Sequence, residues 1–238
     1  MRLRRIRMSV LLLGLIAVAP AAGCGGEART STAAQASPRT VTIEGTNRFP
    51  DTGLRDWASF AEHIVVFTVT SDREVATATA EELAAGEYII AREATLTIER
   101  RLWSAPNAAA LPPTITMDVK GWAVKDGQRM AMVAEGEPRL EVGQRYLAPL
   151  LLMDDRTPAE WWPLTVGSML QLDSERVRPA LAHGQTSAQQ LAGHSVRDVP
   201  ALVAREPADP VARRLRHLRP AQRVQQVLAA REAALPPE

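Results

Sequence analysis

Ile64-Val65-Val66-Phe67-Thr68-Val69-Thr70, followed by Ala94-Thr95-Leu96-Thr97-Ile98-Glu99-Arg100, decides the fold class. The first stretch is a run of β-branched and aromatic residues, the pattern of a strand buried on both sides or nearly so. In the second, Ala94, Leu96 and Ile98 alternate with Thr95, Thr97 and Glu99, so one face is buried and the other wet. Downstream, a Pro-rich loop from Ser104 to Pro113 leads into Thr114–Val119, where Ile115, Met117 and Val119 are in phase. Arg129–Ala134 is its candidate hairpin partner across Lys125-Asp126-Gly127-Gln128, because Asp-Gly suits a two-residue turn with positive φ at both positions. Tyr146–Met153 is a long apolar strand, and Met169–Leu172 continues the β pattern after a Trp-Trp-Pro loop. Upstream, Leu54, Trp57, Phe60 and Ala61 share one face of a short amphipathic helix. The expectation is a mainly β fold, a β-barrel or sandwich of about six strands over residues 54–178.

From Thr186 onward the composition shifts to Ala, Arg, Gln and Leu. Asp209-Pro210 and Arg219-Pro220 look like helix entries with Pro at the first helical position. Val211, Leu215 and Leu218 share a face of the first candidate helix, and Val224, Val227 and Leu228 of the second. Residues 186–238 are therefore expected to be a helical tail.

The chain has 238 residues, enough for one domain with a compact core. Residues 1–23 have the form of an export signal: Arg2, Arg4, Arg5 and Arg7, then the apolar Val10–Val18. Nine residues are too short to cross a hydrocarbon core of roughly 30 Å as a helix. Removal of the signal leaves 215 residues with 24 basic and 27 acidic side chains, a net charge of about −3. Such a balance excludes nucleic acid as a partner on bulk charge. Residues 24–53 read as Cys24 followed by a flexible tether, since Gly25 to Arg39 is small and polar with no apolar periodicity.

Ala21-Ala22-Gly23-Cys24-Gly25-Gly26 resembles the lipobox of bacterial lipoproteins, with Ala21 where that pattern usually has Leu. The resemblance implies a diacylglycerol thioether and palmitate on Cys24, and a lipid-anchored protein on the exterior face of the cell membrane. Cys24 is the only cysteine. Once it is acylated, no thiol remains for a nucleophile, a disulfide or a zinc ligand. Residues 54–175 are also distantly similar to the netrin and tissue-inhibitor-of-metalloproteinase barrels, through Arg101-Leu102-Trp103 and Gly143-Gln144-Arg145-Tyr146-Leu147. That resemblance implies an OB-like barrel. It does not carry the inhibitor's mechanism, which needs a free N-terminal cysteine and disulfides.

The chain has no Gly-x-Ser-x-Gly elbow, no His-Glu-x-x-His helix, no Walker loop and no EF-hand loop. His63 follows Glu62, which would suit a carboxylate-oriented base, but it sits where helix meets strand. His183 and His194 match no zinc spacing, and His217 lies among arginines. Ser195 reads as a helix N-cap with Asp198 three positions on. Asp154, Asp155 and Glu160 could supply a carboxylate pair for glycoside hydrolysis, but in a Pro-containing loop they are expected to face water. Tryptophan makes up five of the ten aromatic residues, so Trp103, Trp122, Trp161 and Trp162, placed at strand ends or in loops, are candidate partner-binding rings. Arg213, Arg214, Arg216, Arg219 and Arg223 form a basic cluster, read as a solvated helix face or a contact for lipid headgroups. The resulting expectation is a non-catalytic binding module for a protein, peptide or glycan, with no cofactor and no metal. The alternatives are an envelope hydrolase with an unrecognised site and a structural or chaperone-like spacer.

Overall fold

The computed structural model describes residues 39–43, 49–134, 137–153, 158–179, 186–218 and 220–233. Cys24, the export signal, Asp154, Asp155, His183 and Arg219 lie outside them. In chain order the strands are β1 (Thr40–Ile43), β2 (His63–Ala76), β3 (Glu87–Ser104), β4 (Thr114–Lys125), β5 (Gln128–Ala134), β6 (Arg145–Met153), β7 (Glu160–Pro163), β8 (Leu170–Asp173) and β9 (Arg176–Val177). The helices are α1 (Leu54–Phe60), α2 (Ala80–Ala85), α3 (Thr186–Leu191), α4 (Val199–Arg205), α5 (Pro210–Arg214) and α6 (Pro220–Ala233), with 3-10 turns at Val166–Ser168 and Val196–Asp198. Among the described residues no helix is long and apolar enough to cross a membrane.

The protein is mainly β, with helices toward its C-terminus. The nine strands form a mixed sheet in the order β1-β5-β4-β3-β2-β6-β8-β9, with β7 pairing to β6. Only β1 and β5 are parallel; the other pairs are antiparallel. Two expectations are corrected. Among the described residues the strands number nine rather than about six, and the sheet is not closed into a barrel. The reason for the open seam is local: β5 pairs with β4 only over Trp122–Lys125, so the first part of β4 has β3 as its strand neighbour. On the far side of the curl, β7 is four residues long and pairs with β6. β4 and β7 approach within 8 Å, Cα to Cα, without pairing.

β2, β3 and β4 run well past the stretches whose pattern marks them in the sequence. β2 and β3 form one long hairpin whose tip carries α2, begun by a Thr79–Glu82 capping box and stopped at Gly86, whose φ is 71°. The Asp126-Gly127 hairpin forms as the turn chemistry requires, with φ of 50° and 72°. Thr114–Val119 pairs with β3, however, and not with the strand beyond that turn. Trp161-Trp162-Pro163 is strand, not loop. Part of the segment read as tether is in the fold: Thr40–Ile43 is β1, and Phe49 is buried.

β2 and β6 are apolar on both sides because each separates two cores. Ile64, Val66, Leu147, Leu151 and Met153 face a cluster with Trp57 and Phe60 of α1, Leu191 of α3, Val199 and Val203 of α4, Ala212 of α5, and Val224 and Val227 of α6. Val65, Phe67, Val69, Tyr146, Ala148 and Leu150 face a second cluster with Leu96, Ile115, Met117, Leu140, Trp161 and Met169. The first core lies between sheet and helices; the second lies inside the curl of the sheet.

Candidate functional site

The open seam holds a cavity of about 240 Å³, lined by Met117, Met132, Met169, Trp162, Pro163 and Val166. Lys120, Glu137 and Arg139 also line it. Two features of the sheet make the room. The β3–β4 ladder is bulged between Ile90 and Arg92, where Ala91 of β3 stands against both Lys120 and Gly121 of β4. A Cβ at Gly121 would lie 1.8 Å from the carbonyl oxygen of Ile90, so only glycine permits this approach of the two strands.

The segment between β5 and β6 is strapped across the curl by two arginines. Arg139 Nη1 donates to the carbonyls of Lys120 at 3.0 Å, Gly121 at 2.8 Å and Met132 at 3.1 Å. Its Nε lies 2.8 Å from Glu141. Arg139 and Arg129 also lie 4.3 and 4.1 Å from the ring centroid of Trp122. Burial, with the neighbouring charge of Arg92, pulls the Arg139 guanidinium below its ordinary range. Arg92 is 2% exposed; it donates through Nε to Asp72 at 2.6 Å and through Nη2 to the Leu140 carbonyl at 2.9 Å. The Tyr146 hydroxyl donates to the Arg139 carbonyl at 2.9 Å and accepts the Glu141 N–H at 3.1 Å. Burial raises its pKa, so the hydroxyl keeps the proton it donates. Lys120 and Glu137 form an ion pair at the rim. The cations of this wall are tied to carbonyls and carboxylates, except that the buried Arg139 Nη2 has no hydrogen-bond partner among the described residues, and the space beside them is apolar.

The four tryptophans do not form one platform. Trp162 lines the cavity and is half-buried, its Nε1 donating to Glu160 at 3.0 Å. Trp122 touches Arg139, which also lines the cavity. Trp161 points to the other side of β7, is 7% exposed, and lies 5.4 Å from the His63 ring. Trp103 packs against the helix-covered core. The three methionines of the cavity were not singled out from the sequence. Their signal was available only for Met117, which is in phase with Ile115 and Val119.

The other candidates are accounted for locally. His63 is 2% exposed, with Nε2 2.7 Å from the Ala109 carbonyl and Nδ1 2.8 Å from the Ser104 hydroxyl. A carbonyl only accepts, so Nε2 carries a hydrogen and the ring bridges Ala109 to Ser104. Glu62 accepts the Leu152 N–H at 2.7 Å and the Ala109 N–H at 3.4 Å. Ser195 caps the 3-10 turn, accepting from Arg197 N–H at 3.3 Å. Asp51 accepts from Trp57 Nε1 at 3.0 Å and Thr165 Oγ1 at 3.1 Å, joining α1 to the turn after β7; burial raises its pKa. Among the described residues no three His, Cys, Asp or Glu side chains converge as a metal site would.

Arg213 and Arg214 are exposed, Arg216 is half-buried, and Arg223 is 4% exposed. For Arg223 the solvated-face expectation is therefore corrected, because α6 packs that side chain against α1 and β6.

Compared with protein families, with curated proteins and with solved structures, the chain has no match. Function has to be argued from the geometry.

Proposed function

We propose that the protein is a lipid-anchored, non-catalytic binding module on the exterior face of the cell membrane, held there through Cys24. Its seam cavity takes an apolar side chain from a protein or peptide partner. The observation that carries this reading is the cavity wall itself, with three methionines, Trp162, Pro163 and Val166 around about 240 Å³. That volume suits one large side chain rather than a whole small molecule, since drug-sized ligands occupy roughly 300–1,000 Å³. Thioethers adapt to different shapes, which suits recognition by fit. A glycan suits the wall less well, because the carbonyls that would accept from sugar hydroxyls already accept from Arg139. A hydrolase would need an acid, a base and a nucleophile converging on the cavity. Lys120 and Glu137 are instead paired with each other, and Arg139 is bonded to the Gly121 carbonyl and Glu141.

The test is a photo-reactive benzoyl-phenylalanine at Ala134, which lines the cavity, in the full chain in its own membrane. The expected result is a protein or peptide adduct that disappears when Val166→Trp fills the cavity. No adduct, an adduct to glycan, or one that persists in Val166→Trp would overturn the reading.

A further inference from the structure

A second cavity, of about 360 Å³, lies between the Pro-rich loop after β3 and the start of α6. Its charged lining is Glu62, Arg216, His217 and Arg223. Among the described residues Glu62 is the one carboxylate of the lining, and both its oxygens accept from backbone N–H groups. Arg223 is the unusual member. It is 4% exposed, its Nη2 reaches the Phe60 carbonyl only at 3.4 Å, and its Nε has no hydrogen-bond partner among the described residues. Arg216 Nη2 is similarly placed, 3.5 Å from the Ala58 carbonyl. Both contacts are at the long limit for N–H···O bonds. Burial drives the Arg223 guanidinium below its ordinary range; Glu62 opposes that and Arg216 adds to it.

A buried guanidinium is stable when a counter-charge and acceptors meet its planar fork. Here two forks and an imidazole line an open cleft in which, among the described residues, Glu62 is the one carboxylate, a single negative charge against two guanidiniums. We propose that this cleft is an oxyanion site that takes a phosphate group, bound by Arg223 and Arg216 with His217 at the edge. Phosphate fits better than carboxylate on acceptor count. Its three or four oxygens serve two forks at once, whereas a carboxylate's two oxygens are filled by one. The group is supplied either by free phosphate or by a phospholipid headgroup, and the chemistry of recognition is the same for both. This site is separate from the seam cavity and does not depend on what that cavity binds.

The experiment uses the full chain in neutral detergent, titrated with inorganic phosphate and followed by calorimetry and thermal unfolding. A parallel arm measures binding to phosphatidylglycerol vesicles against phosphatidylcholine vesicles. The expected result is saturable binding in at least one arm, weakened tenfold or more by Arg216→Gln and unchanged by Arg213→Gln on the exposed face nearby. Saturation with inorganic phosphate assigns the free anion; saturation only with phosphatidylglycerol assigns the headgroup. Arg223→Gln should abolish binding, and if that variant fails to fold, the Arg216→Gln and Arg213→Gln pair decides alone. No saturable binding in either arm, or equal weakening by Arg213→Gln and Arg216→Gln, which would mean diffuse charge, overturns the proposal.

Discussion

The two faces of β2 and β6 are made from alternate residues of the same strands, yet they are finished differently. On one face, helices α1 and α3–α6 bring Trp57, Phe60, Leu191, Val203 and Val227 down onto Ile64, Val66 and Leu147, and the core is filled. On the other, the sheet has only itself to pack against. Phe67, Leu96, Ile115, Tyr146 and Leu150 are enclosed by curling, and the curl ends at a seam where β4 and β7 do not pair. A sheet covered by helices closes by adding layers. A sheet covered by its own curvature needs closing strands, and here a strap of arginines and an apolar cavity stand in their place.

That contrast is broken most directly by truncating one large residue on each side. Trp57→Ala removes a fully buried ring and the donor to Asp51, and should cost about 3–5 kcal/mol in urea unfolding. Met169→Ala, at the cavity wall, should cost about 2 kcal/mol, because space already exists beside it and its neighbours can adjust. Equal losses would mean that the seam is as tightly packed as the helix-covered face. Gly121→Ala probes the strap side. Its Cβ would collide with backbone, the Ile90 carbonyl, and not with a side chain that can swing away. The expected cost is about 1–3 kcal/mol by the same measurement. An unchanged midpoint would show that β3 and β4 can separate there freely.

The next effect is a pH dependence on the helix-covered side. Burial holds the Asp51 carboxyl above the usual carboxylate range; donors from Trp57 and Thr165 oppose that, and the charge of Asp56 adds to it. Between its ordinary and its raised value, the folded protein keeps a proton that the unfolded chain has released. Stability from this group therefore falls as pH rises through that window and is recovered on acidification. Asp51→Asn should flatten this part of the stability profile, and an unchanged slope would place the titration elsewhere.

The sequence shows the two-faced strand plainly: Ile64 to Val69 is apolar on both sides or nearly so, and such a strand needs two layers. It also shows the Asp126-Gly127 turn and the Pro-started helices, because each is set by a few adjacent residues. The sequence reading has no helix at Ala80–Ala85, although Thr79 and Glu82 have the spacing of a capped helix start. What could not be read was whatever depends on distant partners. The closure of the sheet turns on where β5 stops pairing with β4, and no local pattern near Trp122 specifies that. The burial of Arg223 depends on α6 meeting Phe60 and β6, and a row of arginines gives no hint which one is covered. Tryptophans drew attention as candidate binding rings. Within β7, however, successive side chains take opposite sides, and only Trp162 reaches the cavity.

The smallest expected effect belongs to the solvent side of the curled sheet, where Arg145 of β6 donates to Glu99 of β3 at 2.8, 3.0 and 3.2 Å. Partial burial would raise the Glu99 pKa, but the bonds from Arg145 and Thr68 outweigh it and hold the carboxyl below the usual range. Its stabilising contribution is complete at neutral pH and is lost as pH falls through that depressed value, the opposite slope to Asp51. Because the pair is only partly buried, Arg145→Gln should cost no more than about 1 kcal/mol. The difference from wild type should shrink in 1 M salt, where the screening length is only about 3 Å. A cost that survives high salt unchanged would mean that Arg145 acts through its contact with the Ser174 carbonyl, at 2.7 Å, rather than through charge. In that case the ion pairs across these strands would serve as register markers for the curl and add little to its stability.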